Sequence, residues 1–65
     1  MFEEFIGKNV EILLSQGTNV KWYGSVLAAD ENYLKISAIN GFGRKYHGEI
    51  FVFNIRHIVY IHEIM

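Results

Sequence analysis

The sequence predicts a mainly β domain, in which a short N-terminal helix precedes five antiparallel strands that bend into a small barrel. Apolar and polar residues alternate over several short runs, which is the period of half-buried strands. Glycine, asparagine and aspartate separate these runs at short intervals, and proline is absent. The chain has 65 residues, which is room for one domain, 1–65.

Three apolar residues at helical spacing predict the short helix at the start of the chain: Phe2, Phe5 and Ile6. Two glutamates in its first turn suit the helix dipole, and Gly7 would end it. The following stretch, "KNVEILLSQG", predicts the first strand because its apolar residues alternate: Val10, Ile12 and Leu14. The glycine of "QGTN" then suits a turn.

The second strand is the longest, "VKWYGSVLAAD", and it has a glycine in its middle. One face would carry Val20, Trp22, Gly24, Val26 and Ala28. Glycine inside a strand marks a sharp bend or a close approach of other chain segments. We expect Gly24 to form the corner of the barrel, and the alternative is that it makes room for Trp22 or another large side chain.

The rest of the chain predicts three further strands: "YLKISAI", "EIFVFN" and "IVYIHEI". Their connections are the tight turn "DEN", the glycine-rich loop 40–48 and a kink at "IRH". These links are too short for parallel crossovers, so neighbours in sequence should pair antiparallel. Five short strands leave exposed edges unless they close on themselves, which favours a strongly bent SH3-like or OB-type barrel.

Composition argues against several classes of protein. A net charge of −1 does not suit a broad electrostatic grip on duplex nucleic acid. Cysteine is absent, so neither disulfides nor a thiolate metal site is expected. No apolar run has the length of a membrane helix, and the first residues lack the pattern of a signal peptide. We therefore expect a cytoplasmic protein that does not enter the membrane and needs no cofactor.

The stretch "GSVLAADENYLKI" resembles the first motif of the Sm-like family, which includes the Sm and Lsm proteins and bacterial Hfq. There an aspartate follows a glycine of the second strand at the interval that separates Gly24 from Asp30. "FIGKNVEILLSQG" is similar to the family's helix end and first strand, and "FVFNIRHIVYI" resembles its second motif. The resemblance covers nearly the whole chain and implies an SH3-like barrel in a homo-oligomeric ring.

The resemblance also implies how the ring is built and where RNA binds. The fourth strand of one subunit would pair with the fifth strand of the next, in a ring of about five to seven subunits. Two turns of each subunit would face the pore and bind single-stranded RNA through six residues: Asp30, Asn32, Tyr33, Asn54, Arg56 and His57.

The chemistry of these six residue types suits RNA. Tyrosine and histidine offer flat surfaces for base stacking, arginine pairs with phosphate, and asparagine reads a base edge. A structural alternative stays open for two of them. Asp30 would form its turn by accepting backbone N–H groups, and Arg56 would pair with a carboxylate across a subunit contact.

A second candidate RNA surface is the loop "GFGRKYHG", where basic residues lie between aromatic ones: Phe42, Arg44, Lys45 and Tyr46. The alternative is an ordinary solvated hairpin tip. The histidines, His47, His57 and His62, have no common metal-ligand spacing, so no metal site is expected. No serine lies in a nucleophile motif and there is no phosphate-binding loop, so we expect no enzyme.

Two main functions therefore remain, beside the alternative of a small-barrel subunit in an enzyme complex. The first is a non-catalytic Sm-like ring that binds short single-stranded RNA at its pore-side turns. The second is a structural or protein-interaction module that oligomerises without nucleic acid, which the near-neutral charge favours. Both include assembly, because the last two predicted strands carry large apolar residues on both faces.

Overall fold

The computed structural model describes residues 2–15, 20–39 and 47–64 of the chain. Within them lie five strands and two 3₁₀ turns: the N-terminal turn Glu3–Phe5, β1 (Asn9–Leu14), β2 (Val20–Ala29), β3 (Tyr33–Ala38), β4 (Ile50–Asn54), the second turn Ile55–His57 and β5 (Ile58–Glu63). Every pairing between these strands is antiparallel. The prediction of a mainly β fold with five antiparallel strands is confirmed.

The N-terminal element is a single 3₁₀ turn, shorter than the helix that its apolar spacing predicts. The Ile6 N–H donates to the Glu3 carbonyl at 3.1 Å. Gly7 then takes a φ of 85°, and its N–H donates to the carbonyl of Val26 in β2 at 2.8 Å. Since this positive φ turns the backbone onto β2, the helix ends after one turn.

One sheet contains the strands in the order β4–β3–β2–β1–β5. The expectation that all sequence neighbours pair is wrong for β4 and β5, which form the two edges, so the sheet is not closed. The second 3₁₀ turn redirects the chain from one edge of the sheet to the other. There the Ser15 N–H donates to the His57 carbonyl at 2.9 Å, and Leu13 of β1 pairs with Tyr60 of β5.

The core lies on the inner face of the three central strands. Its buried apolar residues are Val10, Ile12, Leu14, Val26, Leu34, Ile36 and Ala38. The alternation predicted for the first strand is confirmed, since every second residue of β1 is buried. Burying each of the larger side chains contributes roughly 1.5–3 kcal/mol.

Trp22 shows how strongly the sheet curves. Its ring lies 4.6 Å from the ring of Phe51 and 5.5 Å from that of Phe53, measured between centroids. Both phenylalanines belong to β4, which β3 separates from β2 in the hydrogen-bonded order. Side chains of β2 and β4 therefore meet across the concave face of the sheet.

A bulge in β2 changes which of its residues face inward. The pairing with β3 shifts register between Val26 and Ala28. After the shift Ala29 packs against the core, whereas Leu27 and Ala28 are exposed. The predicted inward face of this strand therefore holds from Trp22 to Val26 and is wrong for Ala28, because a bulge inserts one residue into the alternation.

Candidate nucleic-acid interface

The turn between β2 and β3 lies beside the second 3₁₀ turn. Tyr33 pairs with Asn54 in the ladder between β3 and β4, and the Ile55 N–H donates to the Asn32 carbonyl at 2.9 Å. These contacts bring together the six residues that the sequence assigned to the two turns. We call them the two-turn surface: Asp30, Asn32, Tyr33, Asn54, Arg56 and His57.

The Asp30 carboxylate holds the first of these turns. Its Oδ1 atom accepts the N–H groups of Asn32 at 2.8 Å and of Tyr33 at 2.7 Å. These bonds lower the pKa of Asp30 below its ordinary value because they stabilise the charged form, and the bond from Asn32 has the largest effect. The turn-forming role predicted for Asp30 is confirmed, and the aspartate orients Asn32 and Tyr33.

Asn54 has a similar role in the second turn. Its side-chain oxygen accepts the backbone N–H of Arg56 at 3.1 Å, just as an N-cap residue holds the first turn of a helix. The side-chain carbonyl oxygen of Asn54 is therefore engaged with its own turn. It positions Arg56 rather than offering a free acceptor to a ligand.

The groups that face solvent at the two-turn surface differ in chemical character. Asn32 and Arg56 are exposed, Tyr33 is 50% exposed, and His57 is half-buried. Among the described residues, no carboxylate lies within ion-pair distance of the Arg56 guanidinium. The surface thus offers an aromatic ring, an imidazole, an amide and a cation.

A pocket of about 240 Å³ adjoins the two-turn surface on the outer side of the sheet. Its lining combines residues of β2, β3 and β4 with the first turn: Ala28, Ala29, Asp30, Tyr33, Lys35 and Val52. Lys35 lines this pocket but was not among the site residues predicted from the sequence. The sequence alternation could have indicated it, because Lys35 lies between two apolar residues of a predicted strand and so shares the outer face with Tyr33.

The second candidate surface, Phe42, Arg44, Lys45 and Tyr46, lies outside the described residues. Within the ranges that the structure does describe, no three His, Asp or Glu side chains cluster in a way that suits a metal ion. The same part of the chain contains no helix with the length and apolar character of a membrane span.

Comparison of the chain with models of protein families, with curated proteins and with solved structures yields no match. The candidate interface is therefore defined by its own residues: two turns from distant parts of the chain that share one surface, and a pocket that continues this surface onto the outer face of β3.

Proposed function

We propose that the chain is an Sm-like protein that assembles into a homo-oligomeric ring and binds short single-stranded RNA at the two-turn surface, without catalysis. One observation carries the proposal. The Ile55–Asn32 hydrogen bond and the Tyr33–Asn54 pair join two turns whose outward side chains supply stacking, base-reading and phosphate-binding groups.

The exposed chemistry supports single-stranded rather than double-stranded nucleic acid. Stacking a base on an aromatic side chain contributes about 1–3 kcal/mol and needs an unpaired base. Tyr33 and His57 offer such rings, and the Arg56 guanidinium pairs with phosphate or stacks on a base. Its six Lys and Arg residues are outnumbered by seven Asp and Glu residues, so the chain has no excess of positive charge for tracking a duplex backbone.

The curvature of the sheet supports the barrel part of the proposal. Trp22 packs on Phe51 and Phe53 across the concave face, and Gly24 lets β2 and β3 approach closely. A sheet of five short strands with this curvature brings its two edges toward each other. In the proposed ring, the edges complete their hydrogen bonding with neighbouring subunits.

The two edge strands support assembly. Ile50 and Val52 of β4 are 51% and 58% exposed, and Val59 of β5 is 55% exposed. An apolar edge strand is a template for pairing with another chain. Pairing β4 of one subunit with β5 of the next covers both edges at once and repeats around a ring.

A second candidate function is a structural or protein-interaction ring that binds no nucleic acid. A specific observation favours it: the carboxylate of Asp30 and the side-chain oxygen of Asn54 both hold their own turns. Two of the six predicted RNA-binding residues thus have a sufficient structural role.

Fluorescence polarisation with labelled U-rich and A-rich oligoribonucleotides tests the RNA function. The wild-type protein should bind one of them at low salt, where phosphate contacts are strongest. Arg56→Ala should weaken binding while the assembly keeps its mass in light scattering. Lys21→Ala is the matched control, because Lys21 is an exposed cation near the opposite end of β2 from the two-turn surface.

Two results would contradict the proposal. A wild-type affinity no tighter than about 100 μM at low salt would favour the ring without nucleic acid. Loss of assembly in Arg56→Ala would instead assign Arg56 to a subunit contact, as the structural alternative predicts.

A further inference from the structure

We propose that the pocket beside Tyr33 binds one nucleotide of the RNA, with the base against Tyr33 and the phosphate at Lys35. This inference rests on the proposed function and adds a nucleotide subsite on the outer face of the sheet, beyond the two turns.

The pocket exists because small residues follow the bulge in β2. Beyond the register shift, Ala28 pairs with Lys35, and Lys35 pairs in turn with Val52 of β4. Tyr33 lies two residues from Lys35 on the same strand and so shares its face. The short side chain of Ala28, beside the longer Tyr33, Lys35 and Val52, leaves a depression that is largely apolar and suits a flat base.

Charges at the pocket orient a nucleotide in one way. Lys35 is exposed and forms no hydrogen bond or ion pair within the described part of the chain, so its ammonium group is available for a phosphate. Asp30 lines the same pocket and carries a negative charge, which repels phosphate and attracts the N–H donors of a base. The phosphate therefore belongs at Lys35 and the base edge toward Asp30.

Continuity with the two-turn surface identifies the occupant as part of the same RNA. Asp30 and Tyr33 belong both to that surface and to the pocket lining. An RNA strand that contacts Arg56 and His57 would reach the pocket by passing Tyr33. A nucleotide can contact every group of this pocket: its base stacks on the aromatic ring and donates to the acceptor, and its phosphate pairs with the cation.

The test compares Lys35→Gln with Lys21→Gln, each of which removes one exposed positive charge from β3 or β2. Affinity for the labelled oligoribonucleotide is measured across a salt series. Lys35→Gln should weaken binding and lower the slope of log affinity against log salt by about 0.7, the value of one phosphate contact on a single strand. Lys21→Gln should leave both quantities at the wild-type level.

Backbone amide NMR shifts provide the second measurement. Titration with the same oligonucleotide should shift Ala28 and Val52 together with Arg56. If Arg56→Ala weakens binding while Lys35→Gln does not and the pocket amides stay unchanged, the subsite is wrong and the proposed function stands. Absence of wild-type binding overturns both. Pocket shifts that depend on protein concentration without RNA overturn the subsite by assigning the pocket to a subunit contact.

Discussion

Gly24 lies between two strands, opposite Val10 of β1 and Ala38 of β3. A Cβ atom at this position would lie 2.7 Å from the Ile36 Cδ1 atom and 2.9 Å from the Ser37 carbonyl oxygen. Because the second neighbour is backbone, it cannot move aside cheaply. Gly24 is thus required by the close approach of β3, and the space it leaves is filled by Ile36.

Gly24→Ala should therefore lower the free energy of unfolding by about 1–3 kcal/mol, the usual cost of overpacking a core. Urea denaturation followed by Trp22 fluorescence measures it. Ser25→Ala is the control, since it changes the next residue, which points to the other face of β2. A change in Gly24→Ala below about 0.5 kcal/mol, typical of a surface substitution, would contradict the close-approach explanation.

The polar residues Asp30 and Asn54 at the two turns hold their own backbone. Asp30 and Asn54 are the residue types that accept nearby backbone N–H groups, and both do so here. Such roles follow from local sequence alone. Lys35 differs, because its place in the pocket depends on the neighbouring strands β2 and β4.

Among the elements, β5 is held to β1 by a polar cluster on the outer face of the sheet. The Tyr60 hydroxyl donates to Glu11 Oε2, and His62 Nε2 lies 3.4 Å from the same oxygen. Only 16% of the Glu11 side chain is exposed. The hydrogen bond from Tyr60 is the largest cause of the shift in the pKa of Glu11, which lies below 4.5. The same bond raises the pKa of Tyr60 above 10.0.

The direction of these shifts predicts how pH affects stability. A lowered pKa means that the charged Glu11 stabilises the fold above pH 4.5 and that this contribution is lost as pH falls through the lower, folded-state value. A raised pKa means that the Tyr60 contribution is present below pH 10.0 and is lost as pH rises through the higher, folded-state value. The cluster therefore stabilises the fold between these limits.

Glu11→Gln should be less stable than the wild type at pH 7, and the difference should shrink as the pH is lowered below 4.5. Urea midpoints at a series of pH values measure this change. Glu31→Gln, which removes the same charge from an exposed turn residue, is the control. A difference between wild type and Glu11→Gln that stays constant down to pH 3 would show that the Glu11 charge does not hold β5.

For the whole molecule, the open edges are the feature with the largest consequence. A chain of 65 residues buries only about 60% of its unfolded surface, and this one leaves apolar side chains exposed on both edge strands. Covering those edges in an assembly adds burial that the single chain lacks.

Ile50→Lys and Val59→Lys should therefore each reduce the mass measured by light scattering toward the 7.6 kDa of one chain. Each places a charge on an edge strand, which opposes pairing with another chain. Leu27→Lys is the matched control, because Leu27 is 44% exposed but belongs to β2, which is not an edge strand. A wild-type protein that is already a monomer would contradict assembly, as would equal loss of mass in all three variants.

Local sequence determined most of the elements of this protein, although the N-terminal helix is shorter than its pattern predicts. Alternation placed Val10, Ile12 and Leu14 inside, turn-forming residues marked the ends of strands, and the "IRH" kink became a 3₁₀ turn. These outcomes depend on residues close together in the chain, whose side-chain period and backbone hydrogen bonding set the local conformation.

Only the tertiary structure decided which distant segments meet. It paired β5 with β1 instead of with β4, and it placed Lys35 between Ala28 and Val52. A bulge shifted the register of β2 after Val26, and no alternation pattern marks that residue. Such contacts depend on how the whole sheet curves and on which edges remain open, and these are properties of all five strands together.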